Sequence, residues 1–531
     1  MSAASTMTTN DSEERRTRPI ISVLYATVAI HDRWRLPLEL LSSIRRNLLL
    51  RPFRPCVIDD FRTWRGIDLM VVSWHLARAI ERESSAQRIG IMLPTSGLFP
   101  AAAIAGWTLG RTLVPLNYLL SRSDLEYVAR DAGLDCIITV GPMLDLVGGP
   151  IAGLTEIRPD RMKFKGIPPV RMTNPLRRED VAVVLYTSGT SGRPKGVMLT
   201  CGNISANARQ CKEWVQFGPQ DRILGVLPQF HSFGLTVLTM LPLATGASAV
   251  YTARFVPRKI VELAREHKPT TLVAIPSMYN ALRLLKDAPR DSFASLRFAV
   301  SGGEPLPEAV YDGFKEKFGI EINEGYGLTE TAPVTNWCRP IEQRRKCVGR
   351  ALPGIEQRIV GPDGRVLGPN EDGEVRMRGP NIMKGYLNLP EETAAVFDEH
   401  GFFKSGDMGR LDEDGMLSIT GRIKEMLIIG GENVFPREIE EVLNRHPSVK
   451  DSAVIGMADG MRGEVALAFV ELKEGASFDE SALKVWCREH IAGFKVPRDI
   501  RLIKELPRNP TGKIMRRKLS PAIACESSAA P

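Results

Sequence analysis

Residues 186–197, YTSGTSGRPKGV, decide how this chain is read. They follow an apolar run, Val181 to Leu185, whose β-branched content predicts a buried strand. Two Thr, two Ser, three Gly, a Pro and a Lys then crowd into one short loop. Glycine lets the backbone turn its N–H groups toward an anion, at Gly189 and Gly192 above all. The hydroxyls of Thr187, Ser188, Thr190 and Ser191 add donors, and Lys195 supplies a full positive charge. A surface Ser/Gly turn has the same composition, so the loop by itself predicts a phosphate cradle without naming an enzyme. It is not a P-loop, because Pro194 stands where a Walker loop ending at Lys195 needs Gly, and it contains no G-x-S-x-G elbow.

The loop resembles the signature of the acyl-adenylate-forming superfamily, which includes acyl-CoA synthetases, aryl-CoA ligases, luciferases and nonribosomal adenylation domains. Matching motifs recur in family order between about residue 35 and about residue 518. RFAVSGGEPLP (297–307) is similar to the family's adenine-binding turn, with Gly302, Gly303, Glu304 and Pro305 beside the base. EGYGLTET (324–331) is more specific. By resemblance Glu324, Gly325, Tyr326 and Gly327 border the nucleotide, with Tyr326 offering a flat face to adenine. Thr329 reaches the α-phosphate and Glu330 gives Mg²⁺ a hard oxygen ligand. GEVRMRGPNIMKGYLN (373–388) and FFKSGDMGRLDEDGMLSITGR (402–422) continue the match, with Asp407 accepting the ribose hydroxyls and Arg422 contacting the ribose. Lys424 occupies the hinge position, IIGGEN (428–433) places Gly430, Gly431 and Glu432 at a thiol tunnel, and Lys513 of LPRNPTGKIMRRKL matches the adenylation lysine.

His231 in LPQFHSFGLT (227–236) would, taken alone, be a core histidine. In acyl-CoA synthetases a His after P-x-F lies beside the acyl carboxylate, whereas amino-acid-activating relatives carry Asp there to pair a buried ammonium. His231 therefore argues against an amino acid substrate. Some long-chain members place a Trp gate four residues further on; Leu235 stands there.

The chain has 531 residues, ample for a large core and more than one domain. The expected fold is α/β: a large N-terminal domain (19–423) of parallel and mixed sheets covered by helices, with a β-barrel-like subdomain, then a small mobile α+β domain (424–531). Strand and helix patterns alternate through FRTWRGIDLMVVSWHLARAI, RIGIMLPTS, FPAAAIAGWTLG and RTLVPLN, which predicts a sheet covered on both faces. Residues 1–18 read as a disordered tail. IISVLYATVAI (20–30) is short, lacks an A-x-A site and runs into HDRWR, so it reads as part of the fold and not as a signal peptide. From Leu38 to Leu50, apolar residues at Leu38, Leu41, Ile44 and Leu48 predict an amphipathic helix docked on the domain, with Arg45 and Arg46 on its outer face. A membrane-surface anchor is the competing reading of that helix. The segment Ile223 to Ala253 lacks Asp, Glu, Lys and Arg, but Pro228, Gln229, His231, Gly234, Pro242 and Gly246 interrupt it. It predicts a ligand-tunnel wall and not a transmembrane helix.

The net charge of +8 suits anionic partners such as ATP and a phosphorylated thiol, with an anionic membrane surface second. Nucleic acid is not expected. Eight scattered Cys, without C-x-x-C or metal spacing, read as reduced structural thiols of a cytoplasmic protein, with attachment to the inner face of a membrane and a homodimer left open. The resemblance implies ATP, Mg²⁺ and coenzyme A. It implies conversion of a carboxylic, fatty-type acid to acyl-AMP and then to acyl-CoA. Transfer to an acyl carrier protein is the nearest alternative, and a non-catalytic nucleotide-binding module is the remote one.

Overall fold

The computed structural model describes residues 40–173, 175–188, 193–460, 462–508 and 514–523. The expectations for the 1–18 tail, for 20–30, and for Gly189, Thr190, Ser191, Gly192 and Lys513 fall outside them. The chain forms two compact units, divided in sequence after Ala253; the boundary expected at Lys424 falls within the second.

In the first unit, strands Arg88–Met92, Thr112–Pro115, Cys136–Thr139 and Thr155–Ile157 pair in parallel, with Arg88–Met92 central between Thr112–Pro115 and Cys136–Thr139. Val181–Ser188 joins Thr112–Pro115 in parallel, and Pro194–Thr200 returns antiparallel beside it. Thr112–Pro115 and Cys136–Thr139 are buried along their whole length, as expected where helices cover both faces of a parallel sheet. The helix Leu98–Thr108 explains part of that cover. Every residue from Phe99 to Thr108 is buried, and Ala101, Ala102, Ala103 and Ala105 let it pack closely with no polar face. A second parallel set comprises Arg222–Gly225, Ser248–Tyr251 and Pro55–Ile58. The uncharged segment after Ile223 resolves into strand, the π-helix Gly234–Met240, the helix Leu241–Thr245 and strand, nearly all of it buried.

The helix Leu40–Leu50 docks as expected through Leu41, Ile44 and Leu48, with Leu40 buried beside them, while Leu38 lies outside the described residues. Arg45 corrects the sequence reading, because it lies on the buried side. Its guanidinium donates to the carbonyls of Met172 (3.0 Å) and Thr173 (2.8 Å) and to the Thr108 hydroxyl. Burial lowers its pKa to about 10. Periodicity placed this arginine outside because it cannot register three acceptors supplied by distant segments.

In the second unit, Thr271–Ala274, Phe298–Ser301 and Ile322–Gly327 run parallel, and Val334–Trp337 adds antiparallel. The β-barrel-like subdomain takes the form of a four-stranded antiparallel sheet, Glu356–Val360, Gly373–Arg378, Phe403–Leu411 and Leu417–Arg422. Beyond it, strands Leu427–Ile429, Glu432–Val434, Val449–Asp459, Gly463–Leu472 and Asp499–Leu502 carry the helices Pro436–Asn444 and Glu480–His490 over a separate apolar cluster that includes Ile439, Leu443, Val454 and Ala468.

Six of the seven described cysteines are buried, and none of the seven is disulfide-bonded. Burial pushes the Cys56, Cys136 and Cys211 thiols up to about 12, as inert structural thiols require. Among the described residues no helix is long and apolar enough to cross a membrane.

Candidate active site

In the first unit, the two strands that flank the expected phosphate loop pair as the arms of a hairpin. Thr187 lies opposite Lys195 and Ser188 opposite Pro194, so the strand begun at Val181 continues three residues past Leu185 and leaves 189–193 between its arms. Tyr and Thr at 186 and 187 favour the extended backbone that allows this. Residues directly opposite one another share a face of the hairpin, which sets Thr187 and Lys195 side by side. The Tyr186 hydroxyl anchors the hairpin by donating to Asp131 at 2.5 Å, and burial with that carboxylate pushes the phenol up. Arg193 is committed to the Tyr127 ring, 5.4 Å from its centroid.

The apolar setting expected for His231 belongs to its neighbours. Leu227, Phe230 and Leu235 are buried, whereas His231 itself is exposed. Its backbone donates to Pro228 and accepts from Leu235. Gln229 braces the turn, donating to Thr239 and accepting the Ser96 N–H, both at 3.0 Å. The π-helix that follows is a rare local geometry frequent at functional sites.

In the second unit, the motifs converge more tightly than their sequence spacing shows. Gly303 takes φ +83°, which a side chain rarely adopts, so the turn of Gly302, Gly303, Glu304 and Pro305 needs glycine there. The next parallel strand ends in Gly325, Tyr326 and Gly327 and runs into the 3-10 turn Thr329–Thr331. Tyr326 donates to Asp407 Oδ2 at 2.6 Å, and Arg422 Nε lies 3.0 Å from Oδ1. Asp407 and Arg422 are direct partners across antiparallel strands, which explains why the pair meets. The Ser405 hydroxyl accepts the Asp407 N–H. Asp407 is buried, and burial of the Tyr326 phenol, together with the Asp407 charge, holds that phenol well above its ordinary range.

Glu330 is fixed by one loop. Its carbonyl accepts the Met383 N–H at 2.8 Å, and its carboxylate Oε1 accepts the Tyr386 hydroxyl at 2.9 Å. Asn381 donates to the Thr331 carbonyl at 2.7 Å. Burial raises the Glu330 pKa, with the Tyr386 hydrogen bond opposing. A hard carboxylate oxygen in such a place fits a divalent cation such as Mg²⁺, which takes one or two carboxylates and completes its shell with phosphate oxygens and water. Among the described residues no three His, Cys, Asp or Glu converge, and a cation held mainly by phosphates needs no such group.

Glu324, which the resemblance places beside the nucleotide, is buried in the strand Ile322–Gly327. Burial pushes its carboxyl up to about 7, with the charges of Arg437 and Arg345 opposing. Arg437 sits on the helix Pro436–Asn444, donates to the Ile419 carbonyl at 2.7 Å and pairs with Glu441 at 3.0 Å. Lys424 is exposed in the 3-10 turn Ile423–Glu425. Gly430 and Gly431, at φ +62° and +88°, form the exposed two-residue turn between Leu427–Ile429 and Glu432–Val434. That turn requires glycine for its backbone whatever else passes there.

Residues 45–387 match the AMP-binding enzyme family, and residues 438–513 match the AMP-binding enzyme C-terminal domain. The chain belongs to the AMP-binding enzyme family. As an AMP-binding enzyme it is 38% identical over 347 residues to the long-chain-fatty-acid–CoA ligase of Bacillus subtilis, a match spanning 64% of this chain and 61% of that protein. It is 33% identical over 448 residues to the sulfoacetate–CoA ligase of Cupriavidus necator, spanning 82% and 87%. Its fold superposes on o-succinylbenzoate CoA synthetase of Bacillus subtilis in complex with an acyl-adenylate, with TM-score 0.81 and 29% identity over 91% of this chain and 99% of that one. Mixed sheets with helices are therefore this family's architecture in this chain too. Sequence reasoning missed the supporting residues of this AMP-binding enzyme, namely Tyr386, Asn381, Ser405 and Arg437. Tyr386 lies in the quoted segment MKGYLN, but nothing local ties its hydroxyl to a carboxylate 56 residues earlier.

Proposed function

We propose that this chain is an ATP-dependent acid–CoA ligase acting on a lipophilic, fatty-type carboxylic acid. The observation that carries the reading is the buried Asp407, held by Tyr326 and Arg422 in the same unit as the fixed carboxylate of Glu330. A carboxylate braced at both oxygens can accept vicinal hydroxyls without rotating. That is what a ribose contact requires.

In the first half-reaction the acid's carboxylate attacks the α-phosphorus of ATP and pyrophosphate leaves. The work of the protein is positioning and electrostatic stabilisation of charge on the phosphate oxygens. Tyr326 and the turn from Gly302 to Pro305 take the adenine, with Gly325 and Gly327 clearing its approach. Asp407 and Arg422 take the ribose. Thr329 and Lys513 take the α-phosphate, while Lys195 with the hydroxyls of its loop takes the β- and γ-phosphates. Glu330 would hold Mg²⁺, whose chemistry when bound is to neutralise phosphate charge. In the second half-reaction the CoA thiol attacks the acyl carbon and AMP leaves. Lys424 is the hinge on which the domain from 424 onward exchanges Lys513 for the segment Gly430, Gly431 and Glu432, a hinge transition between two arrangements.

The lipophilic acid is supported by the buried apolar residues between Leu227 and Leu241 and by a relative named for long-chain fatty acids. His231 in place of an acidic residue speaks against an amino acid. The test is AMP and pyrophosphate release with Mg-ATP across fatty, aromatic, sulfonated and amino acids, each with CoA, with an acyl carrier protein, and with neither. Release completed only with CoA and a fatty acid is expected. Completion only with the carrier protein replaces the acceptor, and preference for another acid replaces the substrate.

A further inference from the structure

We propose that Tyr386 is a positioning residue that sets the rotation of the Glu330 carboxylate for a divalent cation. The inference rests on the reading of Glu330 as the cation ligand.

The loop leading into Tyr386 holds the turn Thr329–Thr331 at three points. Two of them, Met383 to the Glu330 carbonyl and Asn381 to the Thr331 carbonyl, fix the backbone. The third, the Tyr386 hydroxyl, reaches the carboxylate itself. Backbone bonds decide where the Glu330 side chain starts, and a glutamate still has free torsions beyond that point. The phenol limits them by occupying one lone-pair site on Oε1, which leaves the other oxygen available to a cation.

Tyr386 is itself tightly placed. Its N–H donates to the Thr393 hydroxyl at 2.9 Å, and that hydroxyl donates onward to the Leu389 carbonyl at 2.8 Å. The preceding Gly385 has φ +147°, and a Cβ there would come within 2.6 Å of the Thr393 methyl. The chain therefore brings Thr393 hard against the tyrosine's backbone, a fit that only glycine at 385 permits. The phenol is rigid beyond two torsions, so a pinned backbone delivers its hydroxyl to one place. Hydrogen bonds to a ligating carboxylate of this kind are typically worth 10- to 100-fold in metal affinity.

The experiment measures Mn²⁺ binding to the full chain by electron paramagnetic resonance, with a non-hydrolysable ATP analogue present. Glu330→Gln is expected to weaken Mn²⁺ binding by more than tenfold and Tyr386→Phe by roughly tenfold. The double variant is expected to be no weaker than Glu330→Gln alone, because the phenol acts only through that carboxylate. Analogue binding without metal should stay within about twofold in Tyr386→Phe, which a general loosening of the turn would not allow. Unchanged Mn²⁺ affinity in Tyr386→Phe, or losses that add in the double variant, overturns the proposal. No effect of Glu330→Gln overturns the cation assignment beneath it. Should Tyr386→Phe fail to fold by circular dichroism, Thr393→Ala, which releases the Tyr386 backbone, must show the same Glu330-dependent loss for the proposal to stand.

Discussion

Tyr326 donates a 2.6 Å hydrogen bond to Oδ2 of Asp407 while Arg422 occupies Oδ1 from 3.0 Å, so a motif tyrosine and a motif aspartate 81 residues apart form one unit. Removing the phenolic oxygen leaves a buried carboxylate oxygen short of a donor, at a cost of about 1–3 kcal/mol. Tyr326→Phe should lower the melting temperature and raise the KM for ATP about tenfold while keeping the aromatic face. An unchanged KM would show that the ring alone matters.

Glu324 gives a pH dependence whose sign is fixed. Its carboxyl rises from 4.5 to about 7 in the folded protein, chiefly through burial. Between those values the folded form holds a proton that the unfolded chain has released, so stability falls as pH rises through the window and levels off above about 7. The loss is at most about 3 kcal/mol. Glu324→Gln should melt higher than the parent at pH 8, with the gap closing toward pH 5. A gap independent of pH would sink this account.

Lys513 and Lys424 should separate the two half-reactions. One preorganised donor at a developing charge contributes roughly 10² to 10³ in rate. Lys513→Ala is expected to lose at least that much in acyl-adenylate formation yet still convert preformed acyl-adenylate to thioester. Lys424→Pro, which freezes φ at the hinge, should impair thioester formation more than adenylation. Equal losses in both halves, measured with isolated intermediate, would contradict a two-state domain.

Arg45 tests the buried side of the first helix. Replacing it with Met keeps the volume but removes the donor to the carbonyls of Met172 and Thr173 and to the buried Thr108 hydroxyl, at about 1–3 kcal/mol in all. Arg46 carries no such network in this reading, and Arg46→Met should change stability by less than about 0.5 kcal/mol. Thermal unfolding of the two variants side by side decides the matter, and equal effects would return Arg45 to the surface.

The order of motifs along the chain was enough to determine the family. The strand and helix alternation, the buried strand from Val181 and the docked helix ending at Leu50 could be read from hydrophobic period, which is a local property. The glycines at 430 and 431 entered only through the resemblance, as part of a thiol tunnel; that they form a two-residue turn at positive φ was decided by the pairing of the strands on either side. Only the tertiary structure decided that Arg45 points inward, that Thr187 and Lys195 face each other across a hairpin, and that Glu324 is buried while Glu330 answers to Tyr386. Each of these depends on which segments lie against one another once the chain has closed its loops. Side-chain type states what a residue can bond, but its partner is set by packing between elements far apart in sequence.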